Sequence, residues 1–244
     1  MTTAGPAAAR PDPDRPVVAA FDFDGTLTDR GSVWPFLAAV SGRRRVVQAA
    51  LAHVGALAAA AAFGGRHADA AKEALFVGTL GGLDEAELEA GATQFGLDHY
   101  RRHARADVRD RLEWHRAQGH RLLIVSASPE IYLTPLGREL AVDGVIATRL
   151  AVDGDGRMTG GYDGKNCRGQ EKIDRVRHWM AQSGPHRGDD PTITPFLWAY
   201  GNSKGDRRLL QGADRGVDVG RLGPVGALRA FPRLGDVATD DYPN

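Results

Sequence analysis

The chain has 244 residues, enough to bury a sizeable core as one large domain or as a core carrying a smaller insert. Its 31 Lys and Arg residues balance 31 Asp and Glu, so no global field recruits nucleic acid or an acidic partner. The single cysteine, Cys167, excludes an internal disulfide framework and suits a reducing, cytoplasmic setting.

Residues 1–16 hold Arg10, Asp12, Asp14 and several prolines where a secretory signal would have an apolar stretch, and are expected to be a disordered leader. Residues 17–23 then read as a buried strand, ending in Asp22, Asp24 and the turn residue Gly25. Two carboxylates at the end of a buried strand repel each other and lose hydration unless a cation compensates. A long helical region follows, from about 33 to 118, broken by glycines. Within it, residues 46–63 lack formal charge, are mostly alanine and follow the triplet Arg43-Arg44-Arg45. They are expected to form a helix packed within the protein, with contact to a membrane surface as the alternative. The charge-dense stretch 99–118 reads as a solvated helix stopped by Gly119, with His99 and His103 as a surface pair.

A second buried strand, 121–125, ends at Ser126, and Ser128-Pro129-Glu130 has the pattern of a helix start with a hydroxyl cap. Segments 145–152 and 158–162 flank Asp153-Gly154-Asp155-Gly156 as a hairpin. Residues 171–182 read as a helix, 196–200 as a third buried strand ending at Gly201-Asn202-Ser203, and 217–219 as a last short strand. Trp34, Trp114, Trp179 and Trp198 are dispersed and read as packing residues, and Cys167 as a packed thiol. Buried strands followed by helices imply an α/β fold with a mostly parallel sheet, whose ligands sit beyond the carboxyl ends of the strands.

Three strand ends finish in polar groups: Asp22 and Asp24, Ser126, and Asn202. Together with Lys172 they supply the parts of a phosphoryl-transfer site. Asp22 is the candidate nucleophile, Asp24 the acid and base, Ser126 the phosphoryl ligand and Lys172 the compensating cation. Asn202 and Asp206 offer oxygen ligands for Mg²⁺, directly or through water.

The order DFDGTLT at Asp22, IVSAS at Ser126, GQEK at Lys172 and YGNSKGD at Asn202 and Asp206 resembles the haloacid dehalogenase (HAD) superfamily, in its phosphoserine-phosphatase-like subfamily IB. The resemblance covers about residues 17–234. It implies a Rossmann-like core (17–29 and 107–235), an inserted α-helical cap (30–106) and a flexible tail (236–244). It also implies a Mg²⁺ site using Asp22, Asp24, Asn202 and Asp206, an aspartyl-phosphate intermediate, and proton transfer by the Asp24 carboxyl. Thr26 and Ser126 would touch the substrate, as would Lys72, which stands in a K-E-x-L context similar to that of related caps. Asn202 departs from the family pattern, which has aspartate there. Gly31 stands where phosphoserine phosphatases carry a glutamate for the substrate amine, which argues against phosphoserine. The expected function is Mg²⁺-dependent hydrolysis of a small phosphomonoester. The alternatives are a membrane-associated phosphatase for a phosphatidylglycerophosphate-like lipid, and a degenerate pseudo-phosphatase that only binds a phosphorylated ligand.

Overall fold

The computed structural model describes residues 15–183, 194–220, 228 and 230–237. Its centre is a parallel sheet of five strands in the order β3-β2-β1-β6-β7. These are β1 (Val17–Phe21), β2 (Arg121–Pro129), β3 (Gly144–Thr148), β6 (Phe196–Gly201) and β7 (Arg215–Asp218). In register, Ala19 faces Leu122 on one side and Trp198 on the other, which places β1 mid-sheet. Because successive side chains alternate, β1 serves two cores. Val17, Ala19 and Phe21 join Val108, Leu112, Tyr132 and Leu136 on one face. Val18 and Ala20 join Ile173, Val176, Leu209 and Leu210 on the other. Helices α6 (Ala106–Ala117) and α7 (Glu130–Glu139) therefore cover the first face, and α8 (Gln170–Ser183) and α9 (Arg207–Gly212) the second.

Five helices lie between β1 and α6: α1 (Val33–Ser41), α2 (Arg43–Ala52), α3 (Val54–Phe63), α4 (Gly65–Leu80) and α5 (Glu85–His103). The antiparallel pair β4 (Leu150–Val152) and β5 (Met158–Tyr162) packs on α4. At Gly160, with φ of 78°, a Cβ would meet the Val77 backbone at 2.5 Å, so only glycine permits this approach.

Several expectations are corrected. Residues 46–63 do not form one packed helix: the chain bends by 73° between α2 and α3, and α3 has no buried residue. The predicted strand 145–152 divides into β3 and β4, the first completing the parallel sheet and the second the hairpin. The helical stretch 99–118 breaks at Ala104 and Arg105, and it is not solvated throughout. Arg105 and Arg111 are buried, with Arg111 Nη2 donating to Val237 O at 2.5 Å. His99 is buried as well, stacked on Phe95, because it faces the core and not the charged side of α5. Trp34 is 48% exposed, contrary to a packing role. Ser128 does not cap α7, whose N-cap is Pro129 with no side-chain bond. Of the expected leader, residues 1–14 lie outside the described residues, while Arg15 donates to Thr194 O and Pro16 O accepts from Phe196 N. Of the expected tail, Asp236 closes a short 3₁₀ turn and Val237 is buried.

Candidate active site

The site forms where β1, β2 and β6 end side by side. Asp22 N donates to Tyr200 O at 2.9 Å, which carries the strand pairing one residue beyond β1 and fixes the first carboxylate. The chain then turns at Gly25, whose φ is 80°. A Cβ there would lie 2.0 Å from Asn202 Nδ2, so glycine also lets the loop after β6 approach. Thr26 Oγ1 donates to Asn202 Oδ1 at 3.4 Å across the same gap.

Lys172, in the first turn of α8, lies between two acids: its Nζ is 2.6 Å from Asp22 Oδ1 and 2.6 Å from Asp206 Oδ1. All three residues are buried. Burial and the Asp206 charge push Asp22 up to about 7, against the lowering effect of Lys172. Burial alone would lower Lys172, but the Asp206 and Asp22 carboxylates outweigh it and hold the ammonium above its ordinary value. Two buried acids thus share one lysine, a charge balance that a proton on Asp22 or a further cation would complete.

Asp24 is held separately. Its Oδ1 accepts from Ser32 N at 2.8 Å and its Oδ2 from Ser128 Oγ at 2.5 Å. Ser32 Oγ in turn lies 2.7 Å from Tyr132 OH. Ser128 N donates to Ser126 Oγ at 3.0 Å, which ties the end of β2 to the same network. Lys72 reaches over from α4, its Nζ donating to Ala127 O at 2.5 Å and to Asn166 Oδ1 at 3.3 Å. Burial lowers its ammonium to about 8, opposed by the charges of Asp24 and Asp69.

The residues predicted from sequence therefore meet at one sheet edge, in three linked groups. Asp22, Lys172 and Asp206 touch directly; Asn202 and Thr26 pair beside them; Asp24 joins Ser126 through Ser128. Both Asp206 carboxylate oxygens are engaged within the protein. Its Oδ1 faces Lys172, and its Oδ2 accepts from Ser203 N at 3.0 Å, Ser203 Oγ at 2.7 Å and Asn202 N at 3.3 Å. It positions the loop and the lysine. Asp22, Asp24 and Asn202 carry oxygen donors of the type that a hard cation such as Mg²⁺ takes. Cys167 is buried and its thiol is pushed by burial up to about 11, so it is no nucleophile.

Sequence reasoning missed Ser32, Ser128, Tyr132, Arg105 and Asn166. Arg105 Nη1 donates to Gly25 O at 2.9 Å and to Val219 O at 2.5 Å, clamping the Asp22–Thr26 turn from beneath. In sequence it is one of many charged residues in a stretch that reads as a single solvated helix. Ser128 had a signal, but a cap and an Asp24 partner look alike in sequence.

A family model for haloacid dehalogenase-like hydrolases matches residues 19–211. Protein CicA of Caulobacter vibrioides (strain NA1000 / CB15N) is 35% identical over 205 residues, covering 82% of this chain and 84% of that protein. A solved structure of a Bordetella pertussis Tohama I protein of unknown function aligns with a TM-score of 0.72 and 25% identity, over 90% of this chain and 98% of that one. A phosphoserine phosphatase solved as a phospho-aspartyl intermediate analogue shares the fold, with a TM-score of 0.57 and 16% identity over 84% of this chain and 87% of its own. With its site assembled at the carboxyl edge of a parallel sheet, the chain belongs to the haloacid dehalogenase-like hydrolases, on the fold of their phosphoserine-phosphatase-like branch.

Proposed function

We propose that the protein hydrolyses a phosphomonoester of a small metabolite in a Mg²⁺-dependent reaction, through a phosphoryl group carried on Asp22. The observation that carries this reading is the buried Asp22–Lys172–Asp206 trio: a candidate nucleophile beside a fixed ammonium that it shares with a second carboxylate.

Asp22 attacks phosphorus and forms the acyl phosphate while the bond to the leaving oxygen breaks. Asp24 supplies the proton to that oxygen and later removes one from the water that cleaves the acyl phosphate. Ser126 and Thr26 hold phosphoryl oxygens, and Lys172 balances charge on the phosphoryl group as it moves. Asp22, the Asp24 carbonyl and Asn202 would hold Mg²⁺, which supplies the remaining charge compensation. Helices α1–α5 act as a cap, and Lys72, projecting from α4 to the end of β2, reads an anionic group on the leaving side. Gly31 leaves no carboxylate for a substrate amine, so phosphoserine is a poor fit.

The test is Mg²⁺-dependent phosphate release over a broad panel of phosphomonoesters, repeated with Asp22→Asn. The expected result is turnover by the native protein and none by the variant, with acid-stable label retained on the native chain after rapid quenching. Equal rates in the two proteins would overturn the mechanism. Binding of phosphorylated ligands without any turnover would turn the reading to a pseudo-phosphatase.

A further inference from the structure

The bent pair α2–α3 presents an apolar surface that the fold does not use. Val47 is 56% exposed, Leu51 69%, Val54 63% and Phe63 74%. On α2, Arg43, Val47 and Leu51 follow one another at four-residue spacing, on the side away from the buried Val46 and Ala49. On α3, Val54, Ala58, Ala61 and Ala62 are exposed, and no residue of the helix is buried although it rests on α4 and α2. A helix that is apolar all round belongs in a core or in lipid. This one is in neither core. Ten residues span about 15 Å, half of the roughly 30 Å of a bilayer's hydrocarbon, so α3 is too short to cross. Among the described residues no single helix is long and apolar enough to do so.

Charge selects the occupant. From residue 30 to residue 68 the chain holds Arg30, Arg43, Arg44, Arg45 and Arg66 and no aspartate or glutamate, although the whole chain is neutral. Arg43 and Arg44 are exposed at the head of α2. A second copy meeting the same face about a twofold axis would bring no acidic residue of this segment to pair with the arginines. Alanine and valine at the exposed positions give little of the aromatic and Met content that marks protein interface cores. An anionic lipid surface satisfies both features: headgroups pair with the arginines while Leu51, Val54 and Phe63 enter the boundary of the acyl region.

We propose that α2–α3 docks the protein, in the plane of the interface, on membranes bearing anionic lipid. The proposal concerns where the protein sits and stands apart from the catalytic reading; it assigns no lipid as substrate.

The experiment is co-sedimentation of the full chain with vesicles of phosphatidylcholine alone and of phosphatidylcholine mixed with phosphatidylglycerol. Uptake is expected on the mixed vesicles, falling as salt is raised. The paired variants Leu51→Glu/Phe63→Glu and Arg43→Glu/Arg44→Glu are each expected to weaken uptake by at least about tenfold. Because these side chains are exposed, both variants should keep the native thermal melt and the native rate on a soluble phosphomonoester. Failure of the native protein to bind mixed vesicles overturns the proposal, as does equal binding by the variants. So does a native dimer that Leu51→Glu/Phe63→Glu dissociates, with no vesicle uptake, which would mark the face as a self-association surface.

Discussion

Asn202 is the residue whose chemistry is most open to test. Its amide oxygen faces Thr26 beside a trio in which two buried carboxylates share one lysine. Asn202→Asp adds a further negative charge to a place already short of cation. Without metal the variant should melt below the native protein, and the Mg²⁺ concentration giving half-maximal activity should fall roughly tenfold. An unchanged Mg²⁺ requirement would remove Asn202 from the ligand set. A second residue-level prediction concerns pH. His115 Nδ1 lies 2.7 Å from His120 Nδ1, and His115 Nε2 lies 2.7 Å from Tyr200 OH. Two facing Nδ1 atoms hold only one proton between them, so the two rings cannot both be charged. Burial is the main cause that lowers His115 well below 6.5 and His120 to about 4. The folded protein thus binds fewer protons here than the unfolded chain. Its stability is fully present above about 6.5 and is lost as pH falls from there toward 4. Urea melts at pH 7.5 and pH 5 should show the loss, and His120→Asn should flatten it. An equal loss in the variant would place its origin elsewhere.

At the scale of elements, the strands and their polar ends were legible because periodicity and buried apolar runs are local signals, and Asp22, Asp24, Ser126 and Asn202 were singled out through them. What was not legible depends on contacts between distant segments. Ser128 follows a strand and precedes a helix, and only the position of Asp24, 104 residues earlier, decides that it donates there. The break between α5 and α6 is similar. Nothing local stops a helix at Ala104, yet Arg105 leaves helical geometry at φ −85° and ψ 119° and turns its guanidinium to Gly25 O and Val219 O. Tertiary demand overrides helix propensity at that point. Arg105→Met would keep the apolar stem and leave both carbonyls without this donor. A loss of about 2–4 kcal/mol in unfolding free energy is expected, with a fall in kcat because the turn bearing Asp22 and Asp24 is no longer clamped. Full stability in the variant would show that water replaces the guanidinium.

At the scale of the whole molecule, α4 joins the outer helices to the sheet. Asp69 Oδ1 accepts from Asn166 Nδ2 at 2.7 Å, Glu73 Oε1 accepts from Tyr162 N at 2.9 Å, and Lys72 reaches Ala127 O. On its other side α4 packs with α2 and α3. Asp22, Ser126 and Lys172 are buried, so the proposed reaction requires an opening to the site, and we expect it at this contact. The bonds from Asp69 and Glu73 tie α4 to this side without touching the trio, and removing them is expected to favour the open form. The double variant Asp69→Ala/Glu73→Ala should therefore exchange the amide protons of α4 faster than the native protein, while those of β1 and β2 stay protected. Its KM for a soluble phosphomonoester should rise more than its kcat falls, because Lys72 loses its fixed position while Asp22, Asp24 and Lys172 keep theirs. Unaltered exchange in α4 would show that the packing of the hairpin at Gly160, and not these hydrogen bonds, holds the helix down.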